Sequence, residues 1–281
     1  MTNPLVTTEW LYEHLQDDNL RIVDIRGHVL PASEPHPHYF SHKAEYDESH
    51  IPNALFVDWV TDLTNPDSPN GTQIATPDAF AQLMGKLGID ENTFVVVYDD
   101  ANGMFSARLW WGLNYYGHEN VAVLNGGWQK WTSEERPISS DSPTISPTTF
   151  ITKPNTAIRT TIDQVEASLN GSIQLIDVRS PMEFAGEASR AKRMGHIPGA
   201  INLPRKSLLA ESGELLPLDA LKDKIEAAGI KADGDPIVTY CNGGVSATYG
   251  MLALKVAGYE HVSMYDGSWK EWGNDESKPI V

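Results

Sequence analysis

The chain holds one thiol, Cys241, and its surroundings are those of a nucleophile. It opens the run Cys241-Asn242-Gly243-Gly244-Val245-Ser246. This run lies between an apolar, strand-like stretch, Ile237–Tyr240, and a helical pattern over Ala247–Ala257. Two consecutive glycines permit backbone angles closed to other residues, so successive N–H groups can converge on one point. The helix that follows adds the positive end of its dipole. Such a turn would stabilise a thiolate, or an anionic sulfur attached to it. Ser246 is placed to cap the helix or to offer its hydroxyl to a substrate. A lone cysteine is more often a small buried hydrophobe, but the strand before this one and the Gly-Gly turn after it favour a nucleophile. A single cysteine also excludes an intrachain disulfide, a paired redox motif and a multi-cysteine zinc site.

The elements that must hold this turn occur twice. Arg21-Ile22-Val23-Asp24-Ile25-Arg26 reappears as Gln174-Leu175-Ile176-Asp177-Val178-Arg179, and His50-Ile51-Pro52-Asn53-Ala54 as His196-Ile197-Pro198-Gly199-Ala200. Val95–Tyr98 matches Ile237–Tyr240, and Asn125-Gly126-Gly127-Trp128 matches Asp266-Gly267-Ser268-Trp269, each followed by a second Trp three residues on. The offset between partners shrinks steadily along the chain, as for two copies of one domain that differ by small loop deletions. The expected organisation is a domain over residues 1–138, a linker over 139–155 rich in Ser, Thr and Pro, and a second domain over 156–281. A length of 281 residues agrees with two domains at about 150 residues each.

Within each copy, apolar runs (Arg21–Ile25 and Phe94–Tyr98; Leu175–Val178 and Ile237–Tyr240) alternate with amphipathic stretches (Pro77–Leu87; Ala220–Ala228) that stop at Gly88 and Gly229. A further helical stretch, Arg108–Tyr116, stops at Gly117. This alternation predicts an α/β fold: two tandem domains, each a mostly parallel sheet with helices on both faces. Ligands of such sheets bind beyond the carboxyl ends of the strands, in turns that lead to helices. Lys+Arg of 21 against Asp+Glu of 38 leaves a formal charge of −17, which argues against nucleic acid or an anionic membrane surface as partner. No apolar run reaches the ~18 residues of a membrane span. The start, Met1–Leu5, lacks the basic and apolar stretches of a signal peptide, so a reducing cytoplasm is the expected compartment.

Two α/β copies, each with Asp-x-Arg and His-Ile-Pro-x-Ala, and a Cys-x-x-Gly-x-Ser turn in the second copy alone, resemble the rhodanese family. The resemblance is greatest to its two-domain thiosulfate and 3-mercaptopyruvate sulfurtransferases, and it spans about Leu5 to Trp272. It implies a sulfur relay in which Cys241 attacks the sulfane sulfur of a small anionic donor and holds it as a persulfide. The backbone of Asn242, Gly243, Gly244, Val245 and Ser246 would bind the persulfide. An external thiol (a small molecule or a thioredoxin-like protein) or cyanide would then remove the sulfur, with neither metal nor organic cofactor. The first copy has Asp99 in place of Cys241, in a turn two residues longer, and would be an inactive partner forming one wall of the cleft. By the same resemblance Ser246 and His50 would handle protons, and the acidic third member is open among Glu45, Asp47 and Glu48.

Donor choice stays open between 3-mercaptopyruvate and thiosulfate. Neutral Asn242 and Gly243 resemble the mercaptopyruvate loop more. The family's anion-binding Arg, four residues after the Arg of Asp-x-Arg, is here Glu183, which could pair with Arg179. Arg179, Arg190 and Arg193, with Lys192, are then the candidate donor contacts, although a short basic stretch is as readily a solvated loop. His36, His38 and His42 lie in a Pro-rich stretch, which makes a metal role the lesser reading. His196 reads as a turn residue, and the Trp-x-x-Trp pairs as core. A Cys-x5-Arg phosphatase is disfavoured because Ala247 stands where the Arg would be. The competing class is a non-catalytic sulfur-carrying or regulatory module.

Overall fold

The structure, a computed structural model, describes residues 3–31, 34–35, 37–68, 71–232 and 234–281. Its contacts divide the chain into two units. The first comprises Met1–Pro66, Ile74–Asn155 and Glu211–Glu214; the second comprises Asp67–Gln73, Thr156–Ala210 and Leu215–Val281.

The first unit runs β1 (Leu5–Val6), α1 (Thr8–Glu13), β2 (Leu20–Asp24), β3 (Gly27–Val29), β4 (Tyr39–Ser41), α2 (Lys43–Glu48), β5 (Ala54–Phe56), α3 (Pro77–Lys86), β6 (Phe94–Tyr98), α4 (Met104–Tyr115), β7 (Val121–Leu124) and α5 (Gly127–Ser133). Five strands form a sheet in the order β1-β7-β6-β2-β5, and every pairing is parallel. Strands β3 and β4 form a separate antiparallel ribbon. The middle strand, Phe94-Val95-Val96-Val97-Tyr98, is apolar throughout because side chains on both of its faces are covered. Leu11 of α1 and Trp131 of α5 pack on one face with Ile22, Val96 and Leu124, while α4 lies against β6 and β7. The Ser/Thr/Pro-rich stretch 139–155 runs extended along this unit. Ser139 pairs with His50, Thr148 N–H donates to Gly85 C=O, and Lys153 N–H donates to Tyr116 C=O.

The second unit repeats the plan: β8 (Arg159–Thr160), α6 (Ile162–Ala167), β9 (Gln174–Asp177), α7 (Pro181–Phe184), β10 (Ile201–Asn202), α8 (Leu218–Ala227), β11 (Ile237–Tyr240), α9 (Val245–Val256), β12 (Val262–Tyr265) and α10 (Ser268–Trp272). Its sheet order, β10-β9-β11-β12-β8, is that of the first unit listed from the other edge, and all pairings are parallel. In both units the central strand, β6 or β11, therefore leads into the turn singled out by the sequence. Trp269 and Trp272 are wholly buried with Val165, Val238 and Tyr265, so these tryptophans are core.

The helices after the two turns begin earlier than the sequence pattern indicates. α9 starts at Val245 rather than Ala247, and α4 at Met104 rather than Arg108. Glycines in the left-handed region cap both, Gly244 at φ 80° and Gly103 at φ 81°. The turn from Tyr98 to Gly103 is thus one residue longer than that from Tyr240 to Gly244, not two, and Phe105 rather than Ser106 is the counterpart of Ser246. The shift has a chemical consequence. The N–H groups of Val245 and Ser246 belong to a helical first turn, where they have no intrahelical acceptor.

Candidate active site

Cys241 follows the last residue of β11 and is 4% exposed. Its main chain is clamped to the start of α10. Cys241 N–H donates to Ser268 Oγ at 3.1 Å, Cys241 C=O accepts from Trp269 N–H at 3.0 Å, and Asn242 C=O accepts from Lys270 N–H at 2.8 Å. Ser268 Oγ in turn donates to Tyr265 C=O at 2.8 Å. Ser268 makes these bonds from φ 52°, a region that side-chain-bearing residues rarely adopt. Its counterpart Gly127 sits at φ 55°, where an added Cβ would lie 2.3 Å from the Asp99 carbonyl oxygen. The unit with the thiol thus carries a hydroxyl where its twin tolerates only glycine. Nothing in a hydrophobic or helical pattern marks Ser268; the only signal is the Gly-to-Ser difference between the aligned repeats. On the other side of the turn, a Cβ on Gly243 would lie 2.8 Å from Thr72 Oγ1, so that position must stay bare.

The first unit shows where the amides of such a turn point. Asp99 is fully buried, and its carboxylate accepts four backbone N–H groups. Oδ1 takes Ala101 at 2.8 Å and Gly103 at 2.9 Å; Oδ2 takes Phe105 at 2.8 Å and Ser106 at 2.7 Å. The counterpart clamp is present too, with Trp128 N–H donating to Asp99 C=O at 2.9 Å. Aligning the helix starts makes Gly244, Ser246 and Ala247 the counterparts of Gly103, Phe105 and Ser106. A carboxylate places its anionic atoms two bonds beyond Cβ. A sulfur bonded to Sγ of Cys241 would also lie two bonds beyond Cβ, with the same negative charge. Asp99 is therefore a permanent, non-reactive likeness of a cysteine persulfide anion.

Below the turns, the Asp-x-Arg and His-Ile-Pro motifs build matching frames. Arg26 Nε donates to Asp24 Oδ2 at 2.8 Å, and Arg179 Nη2 donates to Asp177 Oδ2 at 2.6 Å. Tyr98 hydroxyl donates to Asp24 at 2.6 Å, and Tyr240 is bonded in the same way to Asp177. Burial, with the adjacent aspartate, pushes both phenols well above their ordinary value, so they remain donors. Arg26 stacks on Trp128 and Arg179 on Trp269, the residue that holds the Cys241 carbonyl. Arg179 thus frames the site through Nε and Nη2, which bond Asp177 and Gly195 C=O (2.8 Å), and through the tryptophan face, while its Nη1 is buried without a hydrogen-bond partner.

The other candidates divide. Ser246 lies half-buried at the second position of α9, and Gly244, not Ser246, is the cap. His50 belongs to the first unit and is 1% exposed. Its Nδ1 lies 2.7 Å from Tyr46 C=O and its Nε2 2.9 Å from Asp141 C=O, so both ring nitrogens face main-chain acceptors. His196 makes the matching contact to Phe184 C=O at 2.8 Å. The Arg193 guanidinium donates to the carbonyls of Trp272 (3.0 Å), Gly273 (3.2 Å), Asp275 and Lys278 (2.8 Å) and so holds residues 272–278. Arg190 is half-buried in the same segment, and Lys192 is exposed. Glu183 forms no ion pair with Arg179. Its Oε2 accepts from Ser180 in a capping box, and its Oε1 accepts from Asn242 Nδ2 at 2.7 Å. Asp47 pairs with Lys43 on the exposed face of α2.

Among the histidines, His36 lies outside the described residues, and His38 Nε2 bonds Glu34 C=O at 2.6 Å. His42 bridges Asp100 (2.5 Å) and His28 (2.7 Å). Among the described residues no group of three or more metal-ligating side chains is arranged so that it could hold a metal ion.

Comparison with known proteins places these features in context. The rhodanese-like domain family matches twice, over residues 7–134 and 161–275. The chain is 35% identical to the sulfur carrier protein TtuD of Thermus thermophilus, covering 99% of this chain and 96% of that protein. It is 32% identical to the 3-mercaptopyruvate sulfurtransferase of Escherichia coli (99% and 98%) and 33% identical to the thiosulfate sulfurtransferase of Bos taurus (95% and 91%). The crystal structure of SseA from Escherichia coli, a 3-mercaptopyruvate sulfotransferase, superposes with a TM-score of 0.84 at 32% identity, covering 95% of this chain and 99% of that one.

Proposed function

The chain belongs to the rhodanese family, and from that membership we propose a sulfurtransferase that moves sulfane sulfur from 3-mercaptopyruvate or thiosulfate to a thiol or cyanide through a persulfide on Cys241. The observation that carries the persulfide is Asp99, whose buried carboxylate occupies the amide cradle of the sister turn. The Cys241 thiolate attacks the outer sulfur of the donor. The S–S bond of thiosulfate breaks with sulfite leaving; with 3-mercaptopyruvate the C–S bond breaks and the pyruvate carbanion takes up a proton. The persulfide anion rests against the N–H groups at the start of α9 and the positive end of its dipole. An acceptor thiolate then attacks the outer sulfur and leaves Cys241 as a thiolate again. Cys241 is the only cysteine, so no internal thiol competes for that sulfur.

Ser246, half-buried at the second position of α9, is the hydroxyl assigned to the substrate. Arg190 is the cation of its segment assigned to the donor's anionic group. A second reading differs only in the acceptor. TtuD is named a sulfur carrier, and a chain with the same persulfide could hand its sulfur to a protein thiol rather than a small one. Following discharge of the persulfide-loaded protein separates the two. A sulfurtransferase turns over repeatedly with a small thiol or cyanide, whereas a dedicated carrier releases its sulfur only to a protein thiol.

A further inference from the structure

Glu183 is placed to decide which charges approach Cys241. Its carboxylate bridges two partners: Oε2 closes the capping box of α7, and Oε1 accepts the Asn242 side-chain amide at 2.7 Å. A carboxylate can only accept, so it is the nitrogen of Asn242 that faces Glu183. The other end of that amide, Oδ1, is a buried acceptor without a donor. This flank of the turn therefore carries the negative charge of Glu183 beside a buried, unpaired acceptor. Arg179, the cation nearest in sequence, feels the Glu183 charge but is paired with Asp177 in a fully buried ion pair, so it offsets that charge only in part. Lys270 meets the turn through its backbone N–H. One Cα–Cα step of about 3.8 Å, one side chain and one hydrogen bond put the Glu183 carboxylate within roughly 10 Å of the Cys241 backbone. That is about one Debye length at physiological salt.

Resting on the persulfide reading, we propose that Glu183 is a specificity-determining residue that sorts reactants at Cys241 by charge. Sulfur compounds with a cationic or neutral group beside the sulfur are favoured over those with an anionic one. Dianionic thiosulfate is the poorer donor of the two, and the fitting acceptor is an aminothiol rather than a mercapto acid. Glu183 acts by its field and by holding Asn242, without touching the sulfur.

The test uses the full-length protein and its single cysteine, so it does not depend on sulfur transfer. Cys241 is modified with two methanethiosulfonates that differ only in tail charge, a trimethylammonium and a sulfonate, and each rate is divided by that of the same reagent with a small free thiol. The wild type reacts faster with the cationic reagent. Glu183→Gln, which keeps the acceptor for Asn242 but loses the charge, lowers the cation-to-anion ratio by about three-fold or more. Half-molar salt shrinks the wild-type ratio in the same direction. Glu183→Asp keeps the charge and retains the ratio, which separates the field from a local loss of structure. In the persulfide-loaded protein, discharge by cysteamine relative to mercaptoacetate shifts with the same variants. An unchanged ratio in Glu183→Gln overturns the proposal. A shifted reagent ratio in a protein that forms no persulfide from either donor overturns the sulfurtransferase reading and leaves the charge selection standing.

Discussion

Ser268 occupies a left-handed backbone conformation so that its hydroxyl can hold the N–H of the nucleophile, and strain of that kind costs of the order of 1 kcal/mol. Two substitutions separate the strain from the bond. Ser268→Ala keeps the strained Cβ and leaves Cys241 N–H and Tyr265 C=O without their partner, a loss of about 1–3 kcal/mol. Ser268→Gly loses the same bonds but relaxes the backbone, so it is more stable than the alanine variant by about 1 kcal/mol. Both slow persulfide formation to a similar degree, because both release the Cys241 N–H from its partner. Urea unfolding and single-turnover sulfur loading measure the two effects separately. An alanine variant as stable as the glycine variant removes the strain argument. Normal loading in both removes the positioning role.

At the level of elements, the same strand-turn-helix unit is built twice and finished differently. In the first unit the four N–H groups of the turn are satisfied internally by Asp99, so that turn depends on a carboxylate for its shape. Asp99→Ala removes four charge-assisted bonds at a fully buried position and should destabilise the protein by about 3 kcal/mol or more. Asp99→Asn should be nearly as harmful, because its NH2 would face N–H donors. A loss below about 1 kcal/mol for the alanine variant in chemical denaturation would show that the cradle holds itself.

Much of this was legible in the sequence, and the reasons are local. Continuous apolar runs mark β6 and β11 because strands covered on both faces have no polar side, and repetition identifies the two turns. What could not be read depends on conformation or distant partners. The glycines that start α4 and α9 look like loop until their positive φ is known. Glu183 shows its role only when Asn242, far along the chain, folds back to it. Arg193 resembles a substrate contact because the carbonyls that occupy it belong to residues 272–278.

For the whole molecule, stability and reactivity respond to different groups. No helix among the described residues is long and apolar enough to cross a membrane. His118 lies buried at the end of α4. Its Nε2 has no hydrogen-bond partner, and burial holds its imidazole below the ordinary value of 6.5. The unfolded chain therefore binds a proton near pH 6.5 that the folded chain resists. Stability from this group is present above that pH and is lost as pH falls below it. The variant His118→Gln should show a flatter dependence of Tm on pH between about 5 and 6.5 than the wild type. An unchanged slope would mean that His118 protonates freely in the folded state.

Intact-mass analysis after incubation with 3-mercaptopyruvate or thiosulfate reads out a persulfide on Cys241. The wild type should gain one sulfur, removed by cyanide or a thiol, and a folded Cys241→Ser variant should gain none and have no transferase activity. A wild type that gains no sulfur from either donor, or a serine variant that still carries or transfers it, would rule out a Cys241 persulfide.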